Sequence, residues 1–251
     1  MKAKTNILFI DDYNKELTTG REYFQRFTTV RRFKEMINSK TIWFANPETG
    51  WTDPYEKYYL QSQFTTSTGK QYLPARGRTF GWCLSKRYNS EAYWQVYSPN
   101  KDGIRLRINA SKLIKQLAKV TNSKIYIGKV EYLNSRAFNS EPEKLPGLRK
   151  EIETGKVGEN QIRLMLKKRM SFMYEEEIRF FAITADKISS YSAPIDIMSI
   201  TDEIHLDPRM DKSEFNFYKE ELSKHYGLSQ VKIGRSTLYQ PAKSKIFETA
   251  K

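Results

Sequence analysis

Residues 174–183 read YEEEIRFFAI, and the way this stretch folds constrains the rest of the chain. From Glu177 to Ile183 the run is apolar and aromatic enough to be a strand. At period two, Ile178, Phe180 and Ala182 share one face, while Glu175, Glu177 and Arg179 share the other. With the apolar set turned to a core, the acidic row lies opposite, in a groove or in water. Carboxylates two residues apart on a strand are roughly 7 Å apart and repel one another. That repulsion raises one pKa, while the adjacent arginine holds the other group ionised. A plainer reading stands beside this one: acidic residues also guard strand edges against aggregation.

The neighbouring segments alternate in the same way. Phe80–Ser85 (FGWCLS) places Phe80, Trp82 and Leu84 on one face and Gly81, Cys83 and Ser85 on the other. Ser90 is an N-cap for a helix carrying Tyr93, Trp94 and Tyr97, which Pro99 ends. Lys101-Asp102-Gly103 is a hairpin turn into the strand Ile104–Ile108. Upstream, Asn6–Ile10, Phe24–Thr28 and Thr41–Ala45 read as strands, and Val30–Asn38 as a helix. Downstream come a helix at Ser111–Lys119, a strand at Ile125–Tyr132 and a helix at Asn160–Met170. The tail adds a strand near Ile204–Leu206, a helix with Phe215, Tyr218 and Leu222 on one side, and a strand at Gln230–Ile233. Residues 61–78 are apolar-poor, a long loop or exposed hairpin. Residues 135–158 are polar, broken by Pro142, Pro146, Gly147 and Gly155, and read as an insertion. The mixed order predicts one α+β domain over 1–251, with mostly antiparallel sheets.

Composition narrows the chemistry. Among 251 residues, 43 Lys and Arg oppose 29 Asp and Glu, a formal charge of +14. Such a field attracts polyanions, so nucleic acid is the expected partner, although solvated surface charge accounts for the same number. Arg31-Arg32 and Lys167-Lys168-Arg169 are the candidate phosphate contacts. A hydrophobic fraction of 39%, with 14% aromatics, excludes a disordered chain. Cys83 is the only cysteine, and His205 and His225 the only histidines. Disulfide frameworks, multi-His centres and thiolate zinc sites therefore drop out, and no metal is expected. There is no membrane-length apolar run and no leader pattern, so a cytoplasmic protein without a membrane partner is expected. No GxGxxG, GK[ST] or GxSxG pattern is present, which removes P-loop and serine-hydrolase chemistry. Trp43–Glu56 (WFANPETGWTDPYE) is a turn-rich loop, in which aromatics near Asp53 and Glu56 could wall a pocket for a planar ring.

Five pieces in order resemble an uncharacterised bacterial domain family of unknown function. They are Phe24-Gln25-Arg26-Phe27; Trp43–Pro47 with Asp53-Pro54-Tyr55-Glu56; Cys83-Leu84-Ser85; Trp94 to Tyr97 with Gly103; and Tyr174–Arg179. The order of elements also resembles the ADP-ribosyltransferases, through Arg26, Ser85 and Glu175-x-Glu177. That resemblance implies two small, mostly antiparallel sheets forming a cleft for NAD, the substrate, with flanking helices. It implies that Arg26 grips the dinucleotide phosphates and that Ser85 holds the nicotinamide ribose. Glu177 would stabilise the positive charge that develops as nicotinamide leaves, and Glu175 would contact or deprotonate the acceptor. Tyr93 or Trp94 would stack on nicotinamide, and Asp53 joins the cofactor-binding set. The middle strand departs from the pattern, reading Cys-Leu-Ser where the best-known members have Ser-Thr-Ser. The implied function is transfer of ADP-ribose to nucleic acid or an associated target, as toxins and anti-phage effectors do, with room for an antitoxin or defence-operon partner. Two alternatives stay open. One is a magnesium nuclease built on Asp53, Glu56, Glu175 and Glu177; the other is a non-catalytic nucleic-acid-binding module.

Overall fold

In the computed structural model, which describes residues 6–11, 13, 17 and 22–240, the alternating stretches join one eight-stranded mixed sheet. Its members are β1 (Ile7–Phe9), β2 (Tyr23–Thr29), β6 (Thr79–Ser85), β7 (Gly103–Asn109), β8 (Lys124–Lys129), β11 (Glu177–Ile183), β13 (Thr201–Leu206) and β14 (Lys232–Arg235). Three two-stranded pieces flank it. They pair β3 (Ile42–Phe44) with β12 (Tyr191–Ala193), β4 (Gln63–Thr66) with β5 (Gly69–Tyr72), and β9 (Glu131–Leu133) with β10 (Lys167–Arg169).

The strand order is β1-β8-β11-β6-β2-β7-β13-β14. β11 pairs antiparallel along its length with β6 and along most of it with β8, and β7 does the same with β2 and β13. Between β6 and β2, however, one pair alone is made, Gln25 opposite Ser85. The sheet is therefore two four-stranded halves that touch at one point and part beyond it. Parallel pairing occurs at both outer edges, β1 with β8 and β13 with β14.

Period-two alternation explains the layers. Phe24, Trp82, Leu106, Ile127, Phe180 and Ile204 come from six strands and meet on one face. Helices over Val30–Ser39, Ala110–Leu117 and Lys212–His225 cover that face. The first two helices start where strands end, because Thr29 and Asn109 accept hydrogen bonds from the amides of Arg32 and Lys112 at 3.2 and 3.0 Å. The opposite face differs between the halves. Over β8 and β11, Tyr126, Phe181 and Ile183 pack against Tyr59, Leu60, Phe138 and Ile162. Over β2, Phe27 packs on Tyr93 and Trp94 of the Glu91–Tyr97 helix.

Several expectations change. The acidic face of β11 is neither in water nor in an open groove: all seven residues of the strand are buried. Glu175 is not on the strand but ends a 3-10 turn over Met170–Glu175. The helix expected over Asn160–Met170 stops at Met165, and Lys167–Arg169 instead pair in parallel with Glu131–Leu133. Residues 135–158 are polar in composition, yet their Phe138, Leu148 and Ile152 help to close the second face. Residues 61–78 contain the exposed β4–β5 hairpin. No helix among the described residues is long and apolar enough to cross a membrane.

Candidate active site

The site forms where the half-sheets part. Ser85, the last residue of β6, sits opposite Glu177 on one side and Gln25 on the other, so three strands place three side chains in one row. Two residues along β6, Cys83 has no partner on β2, and its carbonyl accepts from Arg26 Nη1 at 2.9 Å instead. Arg26 thus fills the split, and its Nε is buried without a hydrogen-bond partner. Together with Tyr93, Tyr97 and Glu175, these residues line one pocket. As it stands the pocket is nearly shut, with a free volume of about 30 Å³, close to one water molecule.

Glu175 supplies the closure. Ser85 Oγ and Tyr93 Oη both donate to its backbone carbonyl at 2.6 Å, and Tyr97 Oη donates to its carboxylate at 3.4 Å. Between Glu175 and Glu177 the chain turns through Glu176, whose φ of 44° is left-handed. That turn keeps both flanking carboxylates inside. Glu176 itself is exposed and pairs with Arg87 at 2.5 Å.

Beneath the pocket lies a buried ionic cluster. Glu177 Oε2 is 3.1 Å from Arg179 and 3.2 Å from Lys168. Lys168 also pairs with Glu175 and lies 3.5 Å from Glu56, which is bonded to Arg179 in turn. Three carboxylates against two cations leave one net negative charge when all are ionised. Arg179 is held further by the Met165 carbonyl at 2.7 Å and by the face of Trp51 at 4.3 Å. The Glu177 amide donates to Tyr132 Oη at 2.9 Å.

The two candidate carboxylates are driven apart. Burial would raise Glu177, but Arg179 and then Lys168 outweigh it and hold the group down at about 2. Glu175 is raised, first by burial and also by the charges of Glu177 and Glu56, against the pull of Lys168. Burial, with Glu177 nearby, also pushes the Cys83 thiol up. Glu177 is therefore an anion at any working pH, and Glu175 is the group able to exchange a proton.

Of the residues singled out from sequence, Arg26, Ser85, Tyr93, Glu175 and Glu177 converge. The others do not. Trp94 is fully enclosed, its ring 5.0 Å from that of Phe27, and does not line the pocket. Asp53 caps a 3-10 turn and pairs with Arg169 at 2.9 Å, outside the pocket. Arg31 and Arg32 are exposed on the Val30–Ser39 helix and line no part of the pocket, although Arg32 is near enough to Arg26 for its charge to act on it. Lys167 is drawn to Glu141 at 2.8 Å, Lys168 is buried and Arg169 pairs with Asp53, and none of the three lines the pocket. The four carboxylates proposed to hold magnesium are interleaved with Lys168, Arg169 and Arg179, cations occupying the positions between them. Among the described residues no group of His, Cys, Asp and Glu is arranged to hold a metal ion.

Spacing alone reads Tyr97, three residues from Trp94 on one helix, as core, and it does not reach Gln25 or the role of Lys168. Gln25 and Lys168 are brought in by tertiary pairing. A larger hollow of about 500 Å³ lies elsewhere, between Lys129, Lys144, Arg163, Glu131 and Glu141. It shares only Lys167 with the candidate residues. Several of its charges neutralise one another, Lys144 with Glu141 at 2.5 Å and Arg163 with Asp11 at 2.6 Å.

No curated protein matches the sequence. A solved structure described as Thermus sp. 2.9 DarT in complex with ADP-ribosylated ssDNA is similar in outline, with a TM-score of 0.41 and 9% identity, covering 85% of this chain and 93% of that one. Residues 93–180, which carry Tyr93, Lys168, Glu175 and Glu177 but not Arg26 or Ser85, match the model of a family described as a protein of unknown function (DUF2971).

Proposed function

We propose that this chain is an ADP-ribosyltransferase that uses NAD as donor and nucleic acid as acceptor. The observation that carries the reading is the row formed by Gln25, Ser85 and Glu177 at the split, with Arg26 inserted beside it. A fixed cation, a hydroxyl and an obligately ionised carboxylate then face one pocket. In the transfer, the bond from C1′ of the ribose to nicotinamide breaks, and its electron pair leaves with nicotinamide. The acceptor heteroatom bonds C1′ and gives up its proton.

The chain's own groups fit these demands. Arg26 keeps an unspent Nε for a phosphate oxygen. Glu177, braced by Arg179 and Lys168, offers a negative charge that needs no reorganisation as positive charge builds on the ribose. Glu175 receives the acceptor proton, which its raised pKa favours. Its carbonyl now occupies the hydroxyls of Ser85 and Tyr93, so the Met170–Glu175 turn withdraws when the donor enters. Net charge supports a polyanionic acceptor, and its phosphate contacts are exposed Arg87 beside Ser85, which exchanges its solvent-exposed partner Glu176 for phosphate, and half-buried Arg107 on the strand next to Gln25, whose guanidinium is 3.5 Å from Glu203. The test is release of nicotinamide from NAD, with label appearing in an added oligonucleotide. A folded protein that leaves NAD intact would refute the reading.

A further inference from the structure

We propose that Lys168 is a positioning residue of this site, whose ammonium keeps the Glu175 carboxylate charged and turned toward Glu177. The inference rests on the transferase reading and adds to it the group that separates the roles of the two acids. Lys168 is the middle residue of β10, and its neighbours turn elsewhere, Lys167 to Glu141 and Arg169 to Asp53. Only its own side chain enters the cluster, where it lies within 3.5 Å of Glu56, Glu175 and Glu177. These three acids are not equivalent. Glu56 and Glu177 each hold Arg179 as a second cation. Glu175 pairs with Lys168 alone among the described residues.

Removing the ammonium therefore falls on one group. Glu56 and Glu177 keep Arg179, whereas Glu175 is left buried and facing two carboxylates. The other titratable and charged groups around it do not replace the charge: Arg26, which faces the same pocket from β2, is bonded to the Cys83 carbonyl and forms no ion pair with Glu175 among the described residues. Tyr93 and Tyr97 face it from the Glu91–Tyr97 helix, Tyr132 from β9 and Tyr174 from its own turn, and burial raises each of these phenols. Cys83 on β6 is likewise raised and neutral. A protonated Glu175 cannot take the acceptor's proton, so loss of Lys168 disables transfer before it disables nicotinamide release.

The experiment compares the full chain with Lys168→Met and Lys168→Arg. It follows the carboxyl carbon of Glu175 by NMR titration, assigned through Glu175→Gln, alongside NAD cleavage and oligonucleotide labelling across pH. Lys168→Met is expected to raise the Glu175 midpoint by about one pH unit or more, to move the acid limb of transfer by the same amount, and on that limb, below both midpoints, to cut transfer about tenfold relative to cleavage. Lys168→Arg should keep the wild-type midpoint. An unmoved midpoint, an arginine variant that behaves like the methionine one, or equal losses of cleavage and transfer with an unshifted acid limb would overturn the proposal. If Lys168→Met does not fold, adding Glu175→Gln should restore folding by removing the stranded charge; failure to do so also counts against it. A wild-type protein that cleaves no NAD defeats the functional reading, while the titration still decides whether Lys168 holds Glu175 charged.

Discussion

Glu177 and Glu176 are neighbours in sequence and opposites in circumstance: one is buried among cations, the other exposed against Arg87. Glu177→Gln is expected to lower NAD cleavage by about two to three decades, about 3–4 kcal/mol of transition-state stabilisation, whereas Glu176→Gln should change the rate little. Steady-state nicotinamide release from the purified variants measures both. Equal damage from the two would mean that the register is misread. Glu177 also leaves a mark on stability. Its folded pKa lies near 2, below the ordinary carboxylate range, so its contribution is fully present above that range and is lost as pH falls through the folded value. Urea midpoints measured from pH 6 down to pH 2 should fall for the wild type. They should fall less steeply for Glu177→Gln, which carries no titrating group at that position.

Elements were legible wherever apolar side chains recur at period two, even where the structure buries both faces. β6, β7 and β11 alternate, so FGWCLS, IRLRI and EIRFFAI disclose their core faces directly. β10 was not legible, because LMLKKRM continues a helical apolar pattern and only the acids of other elements draw Lys168 out of it. The turn through Glu176 hid for a related reason: a left-handed glutamate leaves no composition signal. β6 shows how tightly the layer over the cluster is built. A Cβ at Gly81 would lie 2.5 Å from Trp51 Cζ2, and Trp51 lies over Arg179. Gly81→Ala should therefore push the indole away and cost about 1–3 kcal/mol, read as a lower denaturant midpoint together with a changed Trp51 fluorescence. An unaltered midpoint and spectrum would mean that Trp51 does not clamp Arg179.

For the whole molecule, the α+β class and the mostly antiparallel pairing followed from the order of strands and helices. The split between half-sheets did not, since periodicity assigns faces but not which strands lie side by side. Local spacing likewise brought Arg26, Ser85 and Glu177 no nearer than a shared family pattern; the Gln25–Ser85 and Ser85–Glu177 registers are what unite them. Charge belongs to this scale as well. With a net +14, binding to single-stranded oligonucleotides should weaken steeply with salt. Arg87→Ala and Arg107→Ala should each flatten the logarithmic slope by about 1, and Arg31→Ala should leave it alone. Fluorescence anisotropy over a salt series tests this, and a slope near zero would assign the charge to solvated surface. Donor and acceptor are best followed in one tube: NAD labelled in its adenylate portion is incubated with the protein and an oligonucleotide, and nicotinamide and labelled nucleic acid are both quantified. Matched release and labelling are expected, abolished by Glu177→Gln and retained by Glu176→Gln. NAD left intact by the folded wild-type protein, or cleavage undiminished in Glu177→Gln, would contradict the transferase reading.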